Sequence, residues 1–357
     1  MKALFCINNL GVGGAERLVV DDINEMLGRG YSVRLLTFKK ESDKTLSGEC
    51  KIEKADWRVI PFSSLLNVVD WIKIYSYVKK EKPDIVLSHL WFSNVITRVT
   101  CKIAGIKNVI SFEHNVYDTV KTKKMYWLDR FLQKWCKKII AVSSAVKASL
   151  IEHGIRESRI TVVNNGIDIL KYNKSPDLAL KEKIGISRDD FVFLTVGRLI
   201  PQKGIDILLQ AFAKLQGSSV LLVVGQGTEE NNLKELAQEL GVSERVRFLG
   251  VRNDVPDVLA ISDVFVLASR YEGLGIVVLE AMASRKPIII SDFEAGKDMI
   301  VSGQNGLVVQ KESVEELFEV MNKIMSNSVL RENLAQKAYE KVQEFSIKEH
   351  VSKILSL

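Results

Sequence analysis

The sequence predicts an α/β protein made of two doubly wound domains, each built on a parallel sheet. Its 357 residues suffice for about two domains, and its 46% hydrophobic content suffices for well-packed cores. Short apolar runs alternate with helical patterns, as in strands joined by crossover helices. Because residues 171–190 are polar and interrupted, we expect one domain at 1–170 and a second at 171–342. A last helix, at about 343–357, is expected to pack back on the first domain.

The apolar runs of both halves mostly end in polar residues. Those of the first half lie at 2–8, 31–38, 84–90, 108–114, 138–144 and 160–166. Those of the second half lie at 191–199, 220–227, 245–250, 264–270, 287–292 and 306–309. Ligands of open α/β sheets bind outside the carboxyl ends of the strands, so the polar residues that close these runs are candidates for a binding site.

Composition and segment length argue against several classes of protein. No apolar run approaches the roughly 20 residues that span a bilayer, and MKALFCINNL at the N-terminus is not typical of a signal peptide. The four cysteines have neither metal-clip nor redox-motif spacing. These observations favour a cytoplasmic protein.

Charge is unevenly spread along the chain. Residues 1–175 carry 29 Lys and Arg against 18 Asp and Glu, whereas residues 176–357 carry 21 against 26. The basic first half points to an anionic partner. Nucleic acid is not the expected partner, because only residues 121–138 interleave basic and aromatic side chains and the second half is acidic.

A glycine-rich turn, GVGGAER, follows the first predicted strand and opens a helix. Gly13 and Gly14 would offer backbone N–H groups to an anion at the positive end of that helix. The turn is not the dinucleotide fingerprint, because Glu16 stands where the third glycine would be. An ordinary tight turn is the alternative interpretation.

A second loop, VGRLIPQKGID, carries two cations after a strand and before a helix. Arg198 and Lys203, together with the helix N-terminus, have the composition of a clamp for a diphosphate. Solvated surface cations are the alternative, although Arg198 directly follows an apolar strand. Glycine turns at 223–230 and 248–255 could complete the enclosure of a nucleotide.

Two glutamates eight residues apart, Glu272 and Glu280, lie within the otherwise apolar and glycine-rich stretch 271–290. Glutamate is rarely buried unless it is paired or binds something. This stretch therefore raises the question of what the two carboxylates pair with or bind.

In combination, these motifs resemble those of glycosyltransferase family 4. The matching segments are GVGGAER, SFEHN, VVNNGID, VGRLIPQKGIDILLQAF, VVGQGTEE, the long stretch 248–289 and NGLVV. The resemblance covers nearly the whole chain. It implies the GT-B fold, in which two Rossmann-like domains face each other across a cleft, and it implies transfer from a nucleotide sugar with retention of anomeric configuration.

The resemblance also implies roles for single residues. Glu272 would lie by the donor sugar, and Glu280 would accept hydrogen bonds from the ribose hydroxyls. Arg198 and Lys203 would neutralise the charge that grows on the departing nucleotide diphosphate. His114 would bond the donor sugar or stabilise an oxocarbenium-like transition state. A structural role is the alternative for a lone histidine at a strand end.

The rest of the expected donor site comes from glycine-rich loops whose backbone can approach the ligand closely. The expected donor-binding residues are Gly13, Gly14, Gly197, Gly225, Val251, Arg252, Gly273, Leu274, Gly275, Ile276 and Glu280. No metal cofactor is expected, because two cations meet the diphosphate and the sequence has no Asp-x-Asp signature. A UDP-sugar is the expected donor because such donors prevail in the family.

Two positions depart from the family pattern. Arg285 stands where glycine is usual, so it either reshapes the loop or points to solvent. Asp298 stands where glutamate is usual. The form EAGKDMI is similar to that of members that extend polyprenyl-diphosphate-linked or other surface glycans, which favours a lipid-linked acceptor.

Residues 121–138 combine seven cations with four aromatic side chains. Leu128, Phe131, Leu132 and Trp135 fall at helical spacing, which predicts an apolar stripe beside a basic face. Such a helix is typical of an anionic membrane surface, although packing of the stripe on its own sheet is the alternative. The candidate acceptor or membrane contacts are Lys121, Lys123, Lys124, Trp127, Arg130 and Trp135. We expect peripheral binding on the inner face of the cell membrane.

Three functions remain open from the sequence. The first is a retaining glycosyltransferase that extends a lipid-linked or cell-surface glycan. The second is a GT-B glycosyltransferase with a soluble small-molecule acceptor. The third is a protein that binds a nucleotide sugar without catalysis, which the presence of both cations and both glutamates disfavours.

Overall fold

The structure of the chain is a computed structural model that describes residues 1–41, 45–116 and 121–357. The chain forms two compact units. The first unit comprises Met1–Ile167 together with Ile347–Leu357, and the second comprises Asp168–Ser346. Each unit is built on its own parallel sheet with connecting helices.

The described residues of the first unit contribute seven strands to one parallel sheet. These strands are β1 Lys2–Ile7, β2 Ser32–Thr37, β3 Trp57–Val59, β4 Ile85–His89, β5 Val109–Glu113, β6 Lys138–Ala141 and β7 Ile160–Val162. Their order across the sheet is β3-β2-β1-β4-β5-β6-β7. The strand order reverses between β1 and β4, and ligands bind at the carboxyl ends of the strands at such a switch point.

Helices connect the strands of the first unit. They are α1 Gly14–Gly28, α2 Val68–Glu81, α3 Trp91–Ala104, α4 Lys123–Leu132 and α5 Ser144–Glu152. Side-chain caps define where two of them begin, since Asn67 accepts from the Val69 N–H and Ser143 from the Val146 N–H, each at 3.1 Å. Both α2 and α4 pack against α3.

The second unit repeats this architecture with six strands among the residues that the structure describes. They are β8 Phe191–Val196, β9 Ser219–Val224, β10 Val246–Gly250, β11 Val264–Leu267, β12 Ile288–Ser291 and β13 Leu307–Val309. Their order is β10-β9-β8-β11-β12-β13, so the switch point lies between β8 and β11. The helices are α6 Leu178–Lys183, α7 Ile205–Ala213, α8 Glu230–Glu239, α9 Val255–Ile261, α10 Ile276–Ala283, α11 Val314–Ser326 and α12 Ser328–Val342.

The last helix, α13 Ile347–Leu355, belongs to the first unit and packs on α1. Its buried side chains follow the spacing of one helical face and are Ile347, His350, Val351 and Ile354. His350 Nδ1 lies 2.7 Å from the carbonyl oxygen of Asn164, and its Nε2 lies 3.5 Å from Asp22 Oδ1. These contacts link α13 to the loop after β7 and to α1.

The predicted α/β class is confirmed, and every predicted apolar run contains a strand. The sequence analysis missed β3, a three-residue edge strand in which Arg58 and Val59 are exposed and no apolar run stands out. In the described ranges, no helix combines the length and the hydrophobicity that crossing a bilayer requires.

Candidate active site

The carboxyl edge of the first sheet gathers polar side chains at its switch point. Asn8 follows β1 and accepts a hydrogen bond from Ser93 Oγ at 2.7 Å, which links the end of β1 to the first turn of α3. Gly13 precedes α1 and Gly14 begins it, so both predicted glycines lie at the N-terminus of this helix. The φ of Gly13 is −171°, which is extended backbone that any residue can adopt, so the backbone conformation does not require glycine at this position.

Two histidines stand side by side at the ends of β4 and β5. His89 Nδ1 and His114 Nε2 are 3.1 Å apart, and the ring of Phe112 stacks on that of His89 at a centroid distance of 4.2 Å. Burial lowers the pKa of His89 well below its ordinary value and lowers the pKa of His114 to about 3. His114 is therefore neutral at physiological pH and acts as a hydrogen-bonding group without a positive charge.

Four charged side chains form a buried network near the histidines. Lys121 Nζ lies 2.8 Å from both Glu113 Oε2 and Asp129 Oδ2. Arg98 Nη1 lies 3.1 Å from Asp129 Oδ1, and Arg98 Nη2 lies 3.6 Å from Glu113 Oε1. The four side chains are at most 4% exposed. Two cations balance two carboxylates, which offsets the cost of removing each charge from water.

This network corrects the expectation for one predicted contact. The sequence analysis places Lys121 at an acceptor or membrane surface, but its ammonium is buried between two carboxylates. Its physical role is to join the end of β5 to α4, because Glu113 ends the strand and Asp129 lies on the helix. Lys121 therefore cannot present its charge to a lipid headgroup.

A cavity of about 130 Å³ opens beside His114. It is lined by Leu90, Trp91, Glu113, His114, Asn115, Lys121 and Met125. Leu90 has a φ of 71°, in the region that favours glycine, and such strain clusters at functional sites. His114 Nδ1 and Trp91 Nε1 are buried atoms without a hydrogen-bond partner among the described residues.

The outer face of α4 differs from its predicted pattern. Of the predicted apolar stripe, Leu132 is buried, Leu128 is half-buried and Phe131 is 42% exposed. Trp127, which lies outside that stripe, is 67% exposed. Trp135 lies beyond the helix, in the 3-10 turn Gln133–Trp135, and is half-buried. We call the exposed residues of this face the α4 surface, which comprises Lys123, Lys124, Trp127, Arg130, Phe131 and Lys134.

In the second unit, Lys203 and Glu272 form an ion pair near the switch point. Lys203 Nζ donates to Glu272 Oε1 at 2.5 Å, and Ser269 Oγ donates to the same oxygen at 2.7 Å. The side chains of Lys203 and Glu272 are 13% and 8% exposed. A Cβ on Gly197 would lie 3.2 Å from Lys203 Cε, so the missing side chain leaves room for the lysine stem.

Arg270 ties together the loops that carry this ion pair. Its Nη2 lies 2.8 Å from Asp206 Oδ2, and its Nε lies 2.7 Å from Glu312 Oε1. Its Nη1 also donates to the carbonyl oxygen of Pro201. The backbone N–H of Arg270 donates to the carbonyl oxygen of Gln202 at 2.8 Å. Hydrogen bonding to Asp206 is the main cause that raises the pKa of Arg270. The guanidinium thus fixes the turn that precedes α7.

The predicted glycine turns of this unit have a structural cause. A Cβ on Gly225 would lie 1.8 Å from the carbonyl oxygen of Gly197, and one on Gly227 would lie 2.1 Å from that of Leu199. The φ of Gly225 is +135°, which other residues rarely adopt. The loops after β8 and β9 therefore pack backbone against backbone, and glycine is required there whether or not a ligand binds.

The loop before α10 brings backbone N–H groups to the same edge of the sheet. Gly275 has a φ of 88° and precedes Ile276, the first residue of α10. Gly273 and Leu274 are buried. The N-terminus of α10 therefore supplies partial positive charge close in sequence to Glu272.

The other predicted donor contacts have separate partners or are exposed. Glu280 is 8% exposed, and its Oε1 accepts from the hydroxyl of Tyr172 at 2.8 Å. Arg252 pairs with Asp254, with its Nε 2.8 Å from Oδ1, whereas Val251 is half-buried and Arg198 is exposed. The structure thus joins Lys203 to Glu272 directly and gives Glu280 and Arg252 other partners.

The two departures from the family pattern lie in ordered positions. Arg285 has a φ of 55°, which explains why glycine would suit this position. Its side chain is exposed, and its guanidinium stacks 3.5 Å from the ring centroid of Tyr339 and donates to Gln336 Oε1 at 3.2 Å. Asp298 closes the 3-10 helix Glu294–Asp298 that follows β12.

Comparison with known proteins decides the family. Residues 12–170 match the description Glycosyltransferase Family 4, and residues 177–341 match Glycosyl transferases group 1. The chain is 31% identical over 300 residues to the Escherichia coli UDP-Gal:alpha-D-GlcNAc-diphosphoundecaprenol alpha-1,3-galactosyltransferase, and the match covers 80% of this chain and 78% of that protein. The chain belongs to the glycosyltransferases. A second relative is the lipopolysaccharide core biosynthesis glycosyltransferase LpsE of Rhizobium meliloti, which is 29% identical over 329 residues, 92% of this chain and 90% of that protein.

The glycosyltransferase also resembles solved structures along its whole length. The crystal structure of Anabaena Alr3699/HepE in complex with UDP and glucose is 25% identical, with a TM-score of 0.89, and the match covers 100% of this chain and 99% of that chain. The predicted family and the GT-B fold class are thereby confirmed.

Sequence analysis missed the residues that hold the predicted groups in place. They are Arg98, Asp129, Tyr172 and Arg270. A signal existed for one of them, because Arg270 directly precedes the loop of Glu272. No signal paired Arg98 with Asp129 or Tyr172 with Glu280, since these partners are distant in sequence.

Proposed function

We propose that this glycosyltransferase moves a sugar from a UDP-sugar to a lipid-linked glycan, with retention of anomeric configuration. The observation that carries the proposal is the Lys203–Glu272 ion pair near the switch point of the second sheet. The Escherichia coli relative is named for transfer from UDP-Gal to a diphosphoundecaprenol-linked sugar, and the Anabaena structure contains UDP and glucose. Both names support a UDP-sugar donor, and the first supports a polyprenyl-diphosphate-linked acceptor.

The second unit holds the donor in this proposal. The diphosphate lies near the N-terminus of α10, where Lys203 and Arg198 stabilise the negative charge that develops as the sugar departs. Glu272, placed by Ser269 and Lys203, orients the donor sugar. Glu280 accepts hydrogen bonds from the ribose, with its carboxylate oriented by Tyr172.

The first unit contributes a neutral hydrogen-bonding group. His114 bonds a sugar hydroxyl at the cavity of the first unit, and its depressed pKa keeps the ring uncharged there. Transfer follows a front-face path. The acceptor hydroxyl bonds to the anomeric carbon as the bond from that carbon to the phosphate oxygen breaks, and the departing diphosphate takes the acceptor's proton.

The remaining parts of the proposal concern location and metal. The α4 surface supports peripheral binding to an anionic membrane, because it combines exposed aromatic side chains with lysine and arginine. Transfer would then occur at the inner face of the cell membrane. No metal is required in this scheme, since cations of the chain meet the diphosphate.

A thermal-shift screen of nucleotide sugars, followed by a transfer assay, tests the proposed function. UDP and one UDP-sugar should raise the Tm, and the same donor should glycosylate a synthetic polyprenyl-diphosphate sugar in detergent, as detected by mass spectrometry. Product with a water-soluble acceptor alone would favour the second candidate function. No shift with any nucleotide and no product with any donor would refute the proposal.

A further inference from the structure

His89 is a polar side chain in the apolar interior of the first unit. It is fully buried, and its ring stacks on those of Phe112 and Phe5 at centroid distances of 4.2 Å and 6.2 Å. Its Nδ1 lies 3.1 Å from His114 Nε2, whereas its Nε2 is buried without a partner among the described residues. The contact with His114 is therefore the one hydrogen bond that the described structure gives this ring.

The register of the sheet fixes the geometry of the histidine pair. His89 is the register partner of Phe112 across β4 and β5. His114 stands two positions after Phe112, and alternate residues along a strand share a face. The three rings are nearly parallel, with interplanar angles of 12°, 15° and 26°. The hydrogen bond adds to this packing and specifies which edge of each imidazole faces the other.

The contact between the two rings needs one proton between Nδ1 and Nε2. Burial lowers the pKa of both rings, so each is neutral and carries its proton on one of its two nitrogens. Either His89 Nδ1 donates to His114 Nε2, or His114 Nε2 donates to His89 Nδ1. Each arrangement leaves one N–H without a partner among the described residues, on His114 Nδ1 in the first case and on His89 Nε2 in the second.

The surroundings of the two rings favour the first arrangement. A buried N–H without a partner is costly, and it is rarer in proteins than a buried acceptor without one. In the first arrangement this N–H belongs to His114, which lines the cavity of about 130 Å³. In the second it belongs to His89, which stacks between Phe5 and Phe112 and is not among the residues that line the cavity.

We propose that His89 is a positioning residue for sugar transfer, which donates its Nδ1–H to His114 Nε2 and so keeps the proton of His114 on Nδ1. The hydrogen bond of one imidazole nitrogen determines whether the other nitrogen is protonated. His114 then offers a hydrogen-bond donor, and the sugar oxygen that it meets accepts. This inference rests on the proposed function, in which His114 bonds a sugar hydroxyl. His89 acts through His114 and is assigned no contact with the substrate.

Nitrogen NMR tests the position of the proton without catalysis. The chain has four histidines, so the long-range proton–nitrogen spectrum of the full-length protein labelled at histidine contains four imidazoles. Spectra of His114→Gln and His89→Asn assign the two rings. In wild-type protein at neutral pH, Nδ1 should be protonated and Nε2 bare in both His89 and His114. A bare Nδ1 on His114 would overturn the inference, and this measurement needs no variant that alters the wild-type fold.

Two substitutions of His89 test its effect on transfer. His89→Leu removes the donor at similar volume, so His114 should lose its fixed tautomer in the same spectra. Loss of tautomer control lowers kcat about 10⁴-fold in a serine protease, where the histidine also carries a proton, so we expect a smaller fall in kcat/KM of about tenfold here. His89→Asn places an amide N–H near the former Nδ1–H and should restore kcat/KM toward the wild-type value.

His153→Leu is the matched control for these variants. His153 is half-buried in the same unit, and its Nδ1 lies 2.8 Å from the carbonyl oxygen of Ser149. Its replacement should change neither kcat/KM nor the protonation of His114.

Kinetic results can also refute the positioning role. Wild-type kcat/KM in folded His89→Leu protein would exclude it. Equal losses in His89→Leu and His89→Asn, with the proton of His114 unmoved, would assign His89 to packing alone. The UDP thermal shift of each variant should equal that of wild type, because the proposed nucleotide contacts lie in the second unit. Without a UDP shift in wild type the proposed donor would fail, while the NMR spectrum would still decide the tautomer of His114.

Discussion

Lys203 and Glu272 are 69 positions apart in the chain, yet their side chains share a hydrogen bond of 2.5 Å. The two residues lie on loops that follow β8 and β11, the strands that flank the switch point of the second sheet. A diphosphate that arrives beside Lys203 would compete with Glu272 for its ammonium. Glu272 would then turn from an ion-pair partner into an acceptor for sugar hydroxyls.

Removal of the lysine ammonium should therefore slow transfer. Lys203→Ala is expected to lower kcat at least tenfold, and loss of a preorganised donor of this kind costs about a hundredfold in other enzymes. Turnover with the true UDP-sugar is the measurement. Lys234→Ala is the control, because that lysine is 46% exposed and pairs with Glu230 on the same helix. Wild-type turnover in Lys203→Ala would exclude the lysine from the mechanism.

Unfolding of the Lys203→Ala variant would also lower its turnover, because this substitution leaves the buried carboxylate of Glu272 without its cation. The double variant Lys203→Ala/Glu272→Gln removes this uncompensated charge. Its Tm should return toward the wild-type value while turnover stays low. Glu272→Ala alone should also lower turnover at least tenfold.

The forked contacts of Arg270 should matter for turnover although the residue does not contact the ion pair. Arg270→Lys keeps the charge but cannot reach Asp206, Glu312 and the Pro201 carbonyl together. We expect kcat/KM to fall about tenfold, equivalent to ~1.4 kcal/mol, with UDP still bound. Steady-state kinetics and UDP titration measure the two effects. Lys214→Ala, which breaks an exposed pair with Glu315, should change neither.

An unchanged kcat/KM in Arg270→Lys would show that the loops hold their positions without the fork. Asp206→Asn offers an independent check, because it weakens the same contact from the other side. Its effect should be smaller than that of Arg270→Lys, since the contacts to Glu312 and Pro201 remain.

Local pattern predicted the strands and the loops of the candidate site, because both depend on neighbouring residues. Twelve apolar runs predicted twelve strands, and the glycine turns lie where backbone approaches backbone. The short edge strand β3 was not predicted because two of its three side chains are exposed and no run of apolar residues marks it. The sequence also did not predict why Gly225 must be glycine. Its close approach to Gly197 joins two loops that become neighbours only through the order of the strands in the sheet.

Long-range pairing could not be predicted from local pattern. Helical spacing favoured an apolar stripe through Phe131 and Trp135, but the helix ends at Leu132 and is anchored through Asp129. That anchor exists because Arg98 lies on the neighbouring helix α3. The same network buries Lys121, so a residue that resembles a surface cation in sequence proves to be part of the core.

The depressed pKa of His114 predicts a loss of stability in mild acid. Its folded-state pKa of about 3 lies below the ordinary value of about 6.5, so the unfolded chain takes up a proton that the folded chain does not. The contribution of His114 to the free energy of unfolding is fully present above pH 6.5, and it is lost as the pH is lowered toward 3. His89, His350, Glu113 and Lys121 surround the ring and are unchanged in the variant described next.

His114→Gln should therefore flatten the decline of unfolding free energy between pH 6.5 and pH 5, where carboxylates contribute least. The difference in slope is at most about 1.4 kcal/mol per pH unit. Urea unfolding at several pH values gives the measurement. Identical slopes for wild type and variant would mean that His114 titrates alike in both states.

Removal of divalent metal should leave transfer intact. Within the described ranges, no group of three His, Cys, Asp or Glu side chains is arranged to hold a metal ion. The cations Arg198 and Lys203 are expected to balance the diphosphate instead. Turnover in excess EDTA should stay within about twofold of the untreated value. A loss that Mg²⁺ or Mn²⁺ restores would show that a metal meets the diphosphate, and would remove that role from the two cations.

Arg285 should reveal two opposing contributions to stability. Its left-handed φ of 55° costs about 1 kcal/mol for a residue with a Cβ, and its stacking on Tyr339 returns about 0.5–1 kcal/mol. Arg285→Ala keeps the strain and loses the stacking, so it should destabilise the second unit. Arg285→Gly loses both the strain and the stacking. Its unfolding free energy should be higher than that of Arg285→Ala by up to about 1 kcal/mol, and the greater conformational freedom of glycine in the unfolded chain reduces this gain.

Tyr339→Leu, which removes only the stacking partner, should resemble Arg285→Ala in urea unfolding. Greater stability of Arg285→Ala than of Arg285→Gly would contradict the assigned backbone conformation.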